Sequence, residues 1–319
     1  QLFISSLNNG TTWDSADTAR RSQGSDTWRS LLVDPPNVWL WGSLTSEIWY
    51  DNGASDFPFA AIPNAFLEVG IAAVDSPAAV GGHVCWLGQT REGQIAVYDA
   101  PGQTLSGVPI SDPIAPALAD YTHVEDAIGW GEVWDGHPHY LLTFPTQDVT
   151  WAFDLSTDPP VVHQRGYWRN GQFEAWRGRC HCVVNGRHLV GSRIDGTIYA
   201  QSLNTYDDAG EDLRWVRQPP RVWQENRRLF YHSLELHVEP GVGGMGPSDP
   251  LVDLEWSNDG GKTWSNVHQT SLGKQGAYAE RVSWGRLGAA RDRIYRWSGT
   301  APTRRAFVGV SIELESGVA

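Results

Sequence analysis

Short apolar runs recur along this chain, each broken by a polar or glycine-bearing turn and followed by a second run rich in Trp, Tyr or Phe. The first is Val38-Trp39-Leu40-Trp41-Gly42, a turn over 43–46, then Ile48-Trp49-Tyr50. The second is His83-Val84-Cys85-Trp86-Leu87-Gly88, a turn through Arg91-Glu92-Gly93, then Ile95-Ala96-Val97-Tyr98. The third is Tyr140-Leu141-Leu142-Thr143-Phe144, a turn over 145–148, then Thr150-Trp151-Ala152-Phe153-Asp154. The fourth is His188-Leu189-Val190-Gly191, a turn at Asp195-Gly196, then Thr197-Ile198-Tyr199-Ala200. Runs of this length and make-up read as β-hairpins. Trp41, Leu87, Leu142 and Val190, taken as equivalent points, stand 46, 55 and 48 residues apart. A four-stranded propeller blade takes roughly 40 to 50 residues, so the spacing predicts an all-β chain of β-propeller blades with variable loops. No long window carries apolar residues at the three-and-four spacing of an amphipathic helix. One short helix is expected over Ala115–Asp120, where Ser111-Asp112-Pro113 offers a capping residue and then a Pro in the first turn.

Beyond Tyr199 the pattern changes. Residues 207–212 form an acidic stretch, and 240–250 is rich in Gly and Pro. Between them, Leu234, Leu236 and Val238 alternate with Ser233, Glu235, His237 and Glu239 as the two faces of a strand. The stretch 251–315 is again strand-rich and fits either a closing blade or a separate β-sandwich. The expected division is therefore propeller blades over 1–205, a loop-rich connector with one strand over 206–250, and a C-terminal β portion over 251–319.

Composition agrees with strands. The chain has 17 Trp, 10 Tyr and 34 Gly against one Met, and flat aromatic side chains favour a pleated, half-buried surface. A net charge of -13 argues against gripping a nucleic-acid backbone, which needs clustered Lys and Arg. It is compatible with DNA sliding past an acidic wall. Three cysteines cannot all pair, and Cys180 and Cys182 lie one residue apart, so reduced thiols and cytosolic folding are expected. No apolar run approaches the roughly 18 residues of a membrane span, and no charged-then-apolar leader opens the chain. The start at Gln1, without an initiator Met, predicts a processed or truncated product.

Ser257-Asn258-Asp259-Gly260-Gly261-Lys262-Thr263-Trp264 fits the pattern S-x-D-x-G-x-T-W of an Asp-box. Asp259 is expected to accept hydrogen bonds from turn amides, Gly261 to supply a positive φ, and Trp264 to cover the hairpin. Ser6, Asn8, Gly10, Thr12 and Trp13 fit the same frame, with Asn8 in the place of the Asp. Asp-boxes are frequent in sialidases and other propeller glycosidases, so a sialidase-like propeller glycosidase and a carbohydrate-binding propeller are the alternatives. A sialidase-like site needs an Arg triad, a Tyr nucleophile with a Glu partner and an Asp general acid, and no spacing here marks them.

Cys180-His181-Cys182 lacks the two-to-four-residue thiolate spacing of a zinc site and reads as a strand with both sulfurs inward and His181 outward. His137-Pro138-His139, after Asp135-Gly136, reads as a turn. No nucleophile elbow, phosphate-binding loop or dinucleotide fingerprint occurs, and the glycines of 241–246 precede no helix. Arg281, Arg286, Arg291, Arg293 and Arg296 form the one basic concentration and read as a solvated or interface face. No catalytic, cofactor-binding or metal-binding residue is predicted.

Taken in order, Phe3-Ile4-Ser5-Ser6-Leu7, Trp39-Leu40-Trp41-Gly42 with Ser46-Glu47-Ile48-Trp49-Tyr50, Phe66-Leu67-Glu68-Val69-Gly70-Ile71-Ala72, and Cys85-Trp86-Leu87-Gly88 resemble one known family. The resemblance continues through Tyr140-Leu141-Leu142-Thr143-Phe144-Pro145, His188-Leu189-Val190-Gly191, Phe230-Tyr231-His232-Ser233-Leu234, the 256–266 segment and Arg281-Val282-Ser283-Trp284-Gly285-Arg286-Leu287-Gly288. That family is the tail-hub, or nozzle, proteins of short-tailed bacteriophages, also called packaged-DNA stabilisation proteins. The resemblance implies a non-enzymatic virion protein of the tail, assembled in the host bacterial cytoplasm as a homo-oligomer, typically a six-membered ring. It implies contact with the portal-adaptor ring, tailspikes or tail fibres and a tail needle or plug, and double-stranded DNA passing through the lumen without sequence-specific binding. It also implies a sizeable segment ahead of Gln1. The loops 207–212 and 240–250 are the expected interface segments.

Overall fold

The computed structural model describes residues 1–20, 26–55, 57–242 and 249–317. The chain divides into two compact units: Gln1–Gly166 with Phe173–Ala200, and Tyr167–Gln172 with Gln201–Ala319.

The first unit is a series of antiparallel sheets, each following the last along the chain. Strands Trp28–Asp34, Asn37–Gly42, Ser46–Asp51 and Phe59–Leu67 pair in sequence order. In the second sheet, Gly70–Ile71 and Ala78–Val80 both pair with His83–Gln89, which pairs with Ile95–Asp99. The third sheet runs Ile128–Trp134, His137–Phe144, Val149–Asp154, Val161–Gln164, and the fourth Gly178–Val184, Arg187–Ser192, Ile198–Ala200. The predicted hairpins are the second and third strands of the first, third and fourth sheets and the last two strands of the second. Trp41, Leu87, Leu142 and Val190 each sit in the first strand of their hairpin, at 0%, 0%, 0% and 1% exposure. The repeat in the sequence is thus a repeat of the buried centre of a sheet.

Two-residue turns join the first strand to the second in each sheet. Asp135-Gly136 and Asn185-Gly186 both carry positive φ at their two positions (51° and 81°, 50° and 73°), the geometry that matches the twist of a hairpin and that Asp-Gly and Asn-Gly adopt readily. His137-Pro138-His139 is accordingly not a turn. It opens the second strand of the third sheet.

The apolar cores lie between successive sheets. Trp39, Trp41 and Ile48 of the first pack on Val69, Ile71, Val84, Trp86 and Tyr98 of the second. Cys85, Leu87 and Val97 of the second pack on Tyr140, Leu142, Phe144 and Phe153 of the third. Trp130, Leu141 and Ala152 of the third meet Trp176 ahead of the fourth. A parallel bridge between Asp75 and Ile128 sets the chain just ahead of Ala78–Val80 beside the first strand of the third sheet. Face-to-face sheets that follow one another along the chain are propeller geometry. The hairpin of Leu2–Ser6 and Asn9–Ala19 packs Leu2 and Ala19 against Val38, Leu40 and Trp49 on the other face of the first sheet.

The helix Ala115–Asp120 is present, and Leu118 packs into the core between the second and third sheets. Ser111 does not cap it. A 3₁₀ turn, Asp112–Ile114, intervenes, and the Ser111 hydroxyl accepts the Val97 amide instead.

The second unit is a two-sheet sandwich. One sheet orders Trp215–Arg217, Asp292–Gly299, Leu251–Ser257 and His268–Ser271; the other sets Val282–Gly285 and Phe307–Ser316 on either side of Leu229–Val238. Val252, Leu254, Tyr295 and Trp297 from the first face Leu229, Tyr231, Leu234, Leu236 and Trp284 from the second in one core. The division into 1–205, 206–250 and 251–319 therefore shifts. Leu229–Val238, expected inside a connector, is a central strand of the sandwich, because Leu229, Tyr231, Leu234 and Leu236 are buried in its core. Part of the expected 240–250 connector, residues 243–248, lies outside the described residues, as does the end of the 241–246 glycine run.

Two further expectations change. Cys180 and Cys182 share a strand face as predicted, but that face is exposed, and His181 turns inward to stack on Trp130. Alternation fixes which residues share a face; the aromatic wall of the preceding sheet decides which face is buried. The five arginines of 281–296 also do not form one basic face. Arg281 pairs with Glu235 on the surface, Arg296 with Glu255, and Arg293 is buried at 2% exposure among the rings of Tyr231, Trp256 and Tyr295.

Candidate functional site

The turn after Leu251–Ser257 gathers Ser257, Asp259, Gly261, Thr263 and Trp264 into one structure. The Asp259 carboxylate accepts the amides of Lys262 and Thr263, each at 2.9 Å, the Thr263 hydroxyl at 2.6 Å and the Ser257 hydroxyl at 2.7 Å. Ser257 Oγ in turn accepts the Gly261 amide at 2.8 Å. Gly260 and Gly261 both take positive φ, 76° and 94°, which a side chain would strain. The Thr263 hydroxyl and amide, then Ser257, hold the Asp259 carboxyl well below the usual carboxylate range. The Arg296 guanidinium lies 3.8 Å from the Trp264 ring centroid while bonding Glu255, and Arg293 Nε donates to Asn258 Oδ1 at 2.8 Å. The side chains of Ser257, Asp259 and Thr263 are spent on holding the turn itself.

The second frame, Ser6, Asn8, Gly10, Thr12 and Trp13, is built differently. Asn8 takes φ 58° in a two-residue turn that pairs Ser6 with Asn9. Asn9, one position on, accepts the Thr11 amide at 3.1 Å and hydroxyl at 2.7 Å and donates to Thr12 at 2.8 Å. Trp13 is 58% exposed and donates to the Gly10 carbonyl. The frame slips by one residue because the tight hairpin turn puts Asn8 in the left-handed region, which Asn tolerates, and turns its role over to Asn9.

His137 and His83 each stand beside an acid and a hydroxyl or thiol, and neither group is arranged for nucleophilic catalysis. His137 Nδ1 meets both Asp154 Oδ2 and Ser156 Oγ at 2.9 Å. A Ser-His-Asp relay needs the acid and the hydroxyl on opposite ring nitrogens. Buried Asp99 holds His83 Nδ1 at 2.9 Å and accepts the Cys85 thiol at 3.6 Å. Burial, then the Asp99 charge, push the Cys85 thiol up, away from the reactive thiolate. This pair borders a cleft of about 770 Å³ walled by the loops 106–113 and 155–160. Among the described residues no group of three His, Cys, Asp or Glu side chains is placed to hold a metal.

What the first unit does build is a set of tight seams. The Gly129 amide donates to the Asp75 carbonyl at 2.9 Å and the Tyr140 hydroxyl to the Ser76 carbonyl at 2.8 Å. A Cβ on Gly129 would stand 2.0 Å from that Ser76 oxygen. Within the first and third sheets one acid clasps the turn between second and third strands. Asp26 accepts the amides of Leu44 and Thr45 and the Thr45 hydroxyl, and Asp126 accepts the amide and hydroxyl of Thr146. Both stand two residues ahead of a first strand, Trp28–Asp34 and Ile128–Trp134. Sequence reasoning passed over these acids; the signal was an Asp at a fixed offset from each sheet, paired with a Thr in the turn.

A propeller-type unit followed by a sandwich, with polar groups that hold turns and seams, defines a two-part β-protein. Residues 1–206 match the family model described as bacteriophage P22 Gp10, beta-propeller, and residues 214–315 the model described as bacteriophage P22 Gp10, beta-sandwich. The chain belongs to this family, the tail-hub and DNA-stabilisation proteins of short-tailed phages. No curated protein matches the chain. Among solved structures it is similar to a glycoside hydrolase family 43 arabinoxylan arabinofuranohydrolase from Bacillus subtilis, in complex with cellotetraose, at 10% identity and a TM-score of 0.24 over 90% of this chain and 94% of that one. That likeness is too slight to bear on fold or activity. No helix among the described residues is long and apolar enough to cross a membrane.

Proposed function

We propose that this chain is a non-enzymatic wall component of the phage tail. With further copies of itself it builds a ring, six-membered by family resemblance, beneath the portal adaptor. The ring closes the genome exit, retains packaged DNA, anchors tailspikes or fibres, seats a needle or plug, and lines part of the ejection path. The observation that carries this reading is the match of propeller and sandwich models in order along the chain. Two features support it: seams too tight to admit a methyl group, which suit a wall under internal pressure, and a net charge of -13, which lets DNA pass without adhering.

The test is complementation of phage particles lacking the protein, read as nuclease-protected DNA and as density at the exit vertex. Restored protection with ring-shaped density is expected. Full DNA retention without the protein, or a protein that never sediments with particles, would overturn the proposal. Glycoside hydrolysis by the intact protein would overturn its non-enzymatic part.

A further inference from the structure

The seam between the third and fourth sheets holds a set of titratable groups that neither tight packing nor wall-building requires. The Glu132 side chain, fully buried, bonds the Arg165 guanidinium, which lies 3.8 Å from the centroid of the Trp176 ring. From Trp176 a stack runs across the seam through Trp130, His181 and His188, with centroids 5.8, 6.1 and 5.1 Å apart, and Trp134 closes it edge-on to His188 at 4.8 Å. His181 Nε2 and His188 Nδ1 are 3.0 Å apart. One of these nitrogens must donate and the other accept, so the pair holds one added proton but not two. On the third sheet His139 is largely buried, with its Nε2 3.9 Å from Asp154.

We propose that His139 and His181 make this seam a proton-operated latch, closed while both are neutral and progressively weakened as they take up protons. The groups facing them set the balance. His181 faces Glu132, which favours its charge, and Arg165 and His188, which oppose it. His139 faces Asp154 and Glu132, which favour charge, and Arg165, which opposes it, with the His137 and His163 rings beside it. For both, burial outweighs the carboxylates and holds the imidazole below the ordinary histidine range. The open seam therefore binds more protons than the closed one. Stability from these groups is complete above about pH 6.5, the value of a free histidine, and is lost as pH falls below it.

Hydrogen exchange on the intact protein, followed by mass spectrometry from pH 4 to pH 8, tests the proposal at two kinds of site. Imidazole C2–H exchange is expected to give His139 and His181 titration points below about 6.5. Amide exchange corrected for intrinsic rates is expected to show Ile128–Trp134 and Gly178–Val184 opening more as pH falls, by about tenfold per pH unit for each proton taken up. Asn37–Gly42, in the first sheet, should not follow. His181→Phe keeps the stack and should reduce that dependence. Titration of both histidines at or above the free value, or seam protection independent of pH, would overturn the latch. If His181→Phe does not fold, the two exchange measurements on the parent protein decide.

Discussion

Asp259 is an exposed carboxylate that organises a whole turn, accepting four bonds from Ser257, Lys262 and Thr263. Asp259→Asn should lower the denaturation midpoint of the sandwich. Because the folded carboxyl sits well below its ordinary range, the difference between parent and variant should be complete above about pH 4, the unfolded value, and shrink as pH falls through it. Denaturant titrations at pH 7 and pH 3 check both points. Gly129 is the opposite kind of residue, valued for having no side chain. Gly129→Ala forces the strand off the Ser76 carbonyl and should cost about 3 kcal/mol, read by chemical denaturation. The thiols give a third check. Cys180 and Cys182 are exposed and should react at once with a thiol reagent, whereas Cys85, buried and with its thiol pushed up, should react only on unfolding.

At the scale of elements, the sheets are held by local devices that repeat without repeating sequence. Asp26 and Asp126 clasp corresponding turns of the first and third sheets, and loss of Asp26 should free three donors and loss of Asp126 two. Asp126→Ala is expected to cost about 1–2 kcal/mol, with faster amide exchange confined to 145–148 and its flanking strand ends. The strands themselves were legible because Trp, Tyr and Val at period two leave little else to form. His137-Pro138-His139 misled, since a Pro beside two polar rings looks like a loop. Pro138 is tolerated there because it sits in the second position of its strand, opposite Val133 at the end of the ladder. The Asp-box frame at 6–13 misled for a related reason: a motif states residue types, and the hairpin register decides which of two adjacent asparagines accepts the bonds.

At the scale of the molecule, each unit has its own apolar core. A lesion such as Gly129→Ala should therefore leave amide protection of Leu251–Ser257 unchanged while it loosens Ile128–Trp134, a contrast one exchange experiment reads. The sequence by itself determined the all-β class, the four aromatic hairpins, the near-regular spacing of their buried centres and the turn at 257–264, because strand periodicity and turn chemistry are written in neighbouring residues. Only the tertiary structure decided that Leu229–Val238 belongs to a sandwich core, that His181 and not its flanking cysteines faces a seam, that Arg293 is buried, and that Asp26 and Asp126 are clasps. Those outcomes depend on what a distant segment places opposite each residue, and a one-dimensional pattern that fixes which side chains share a face carries no record of which face will be covered.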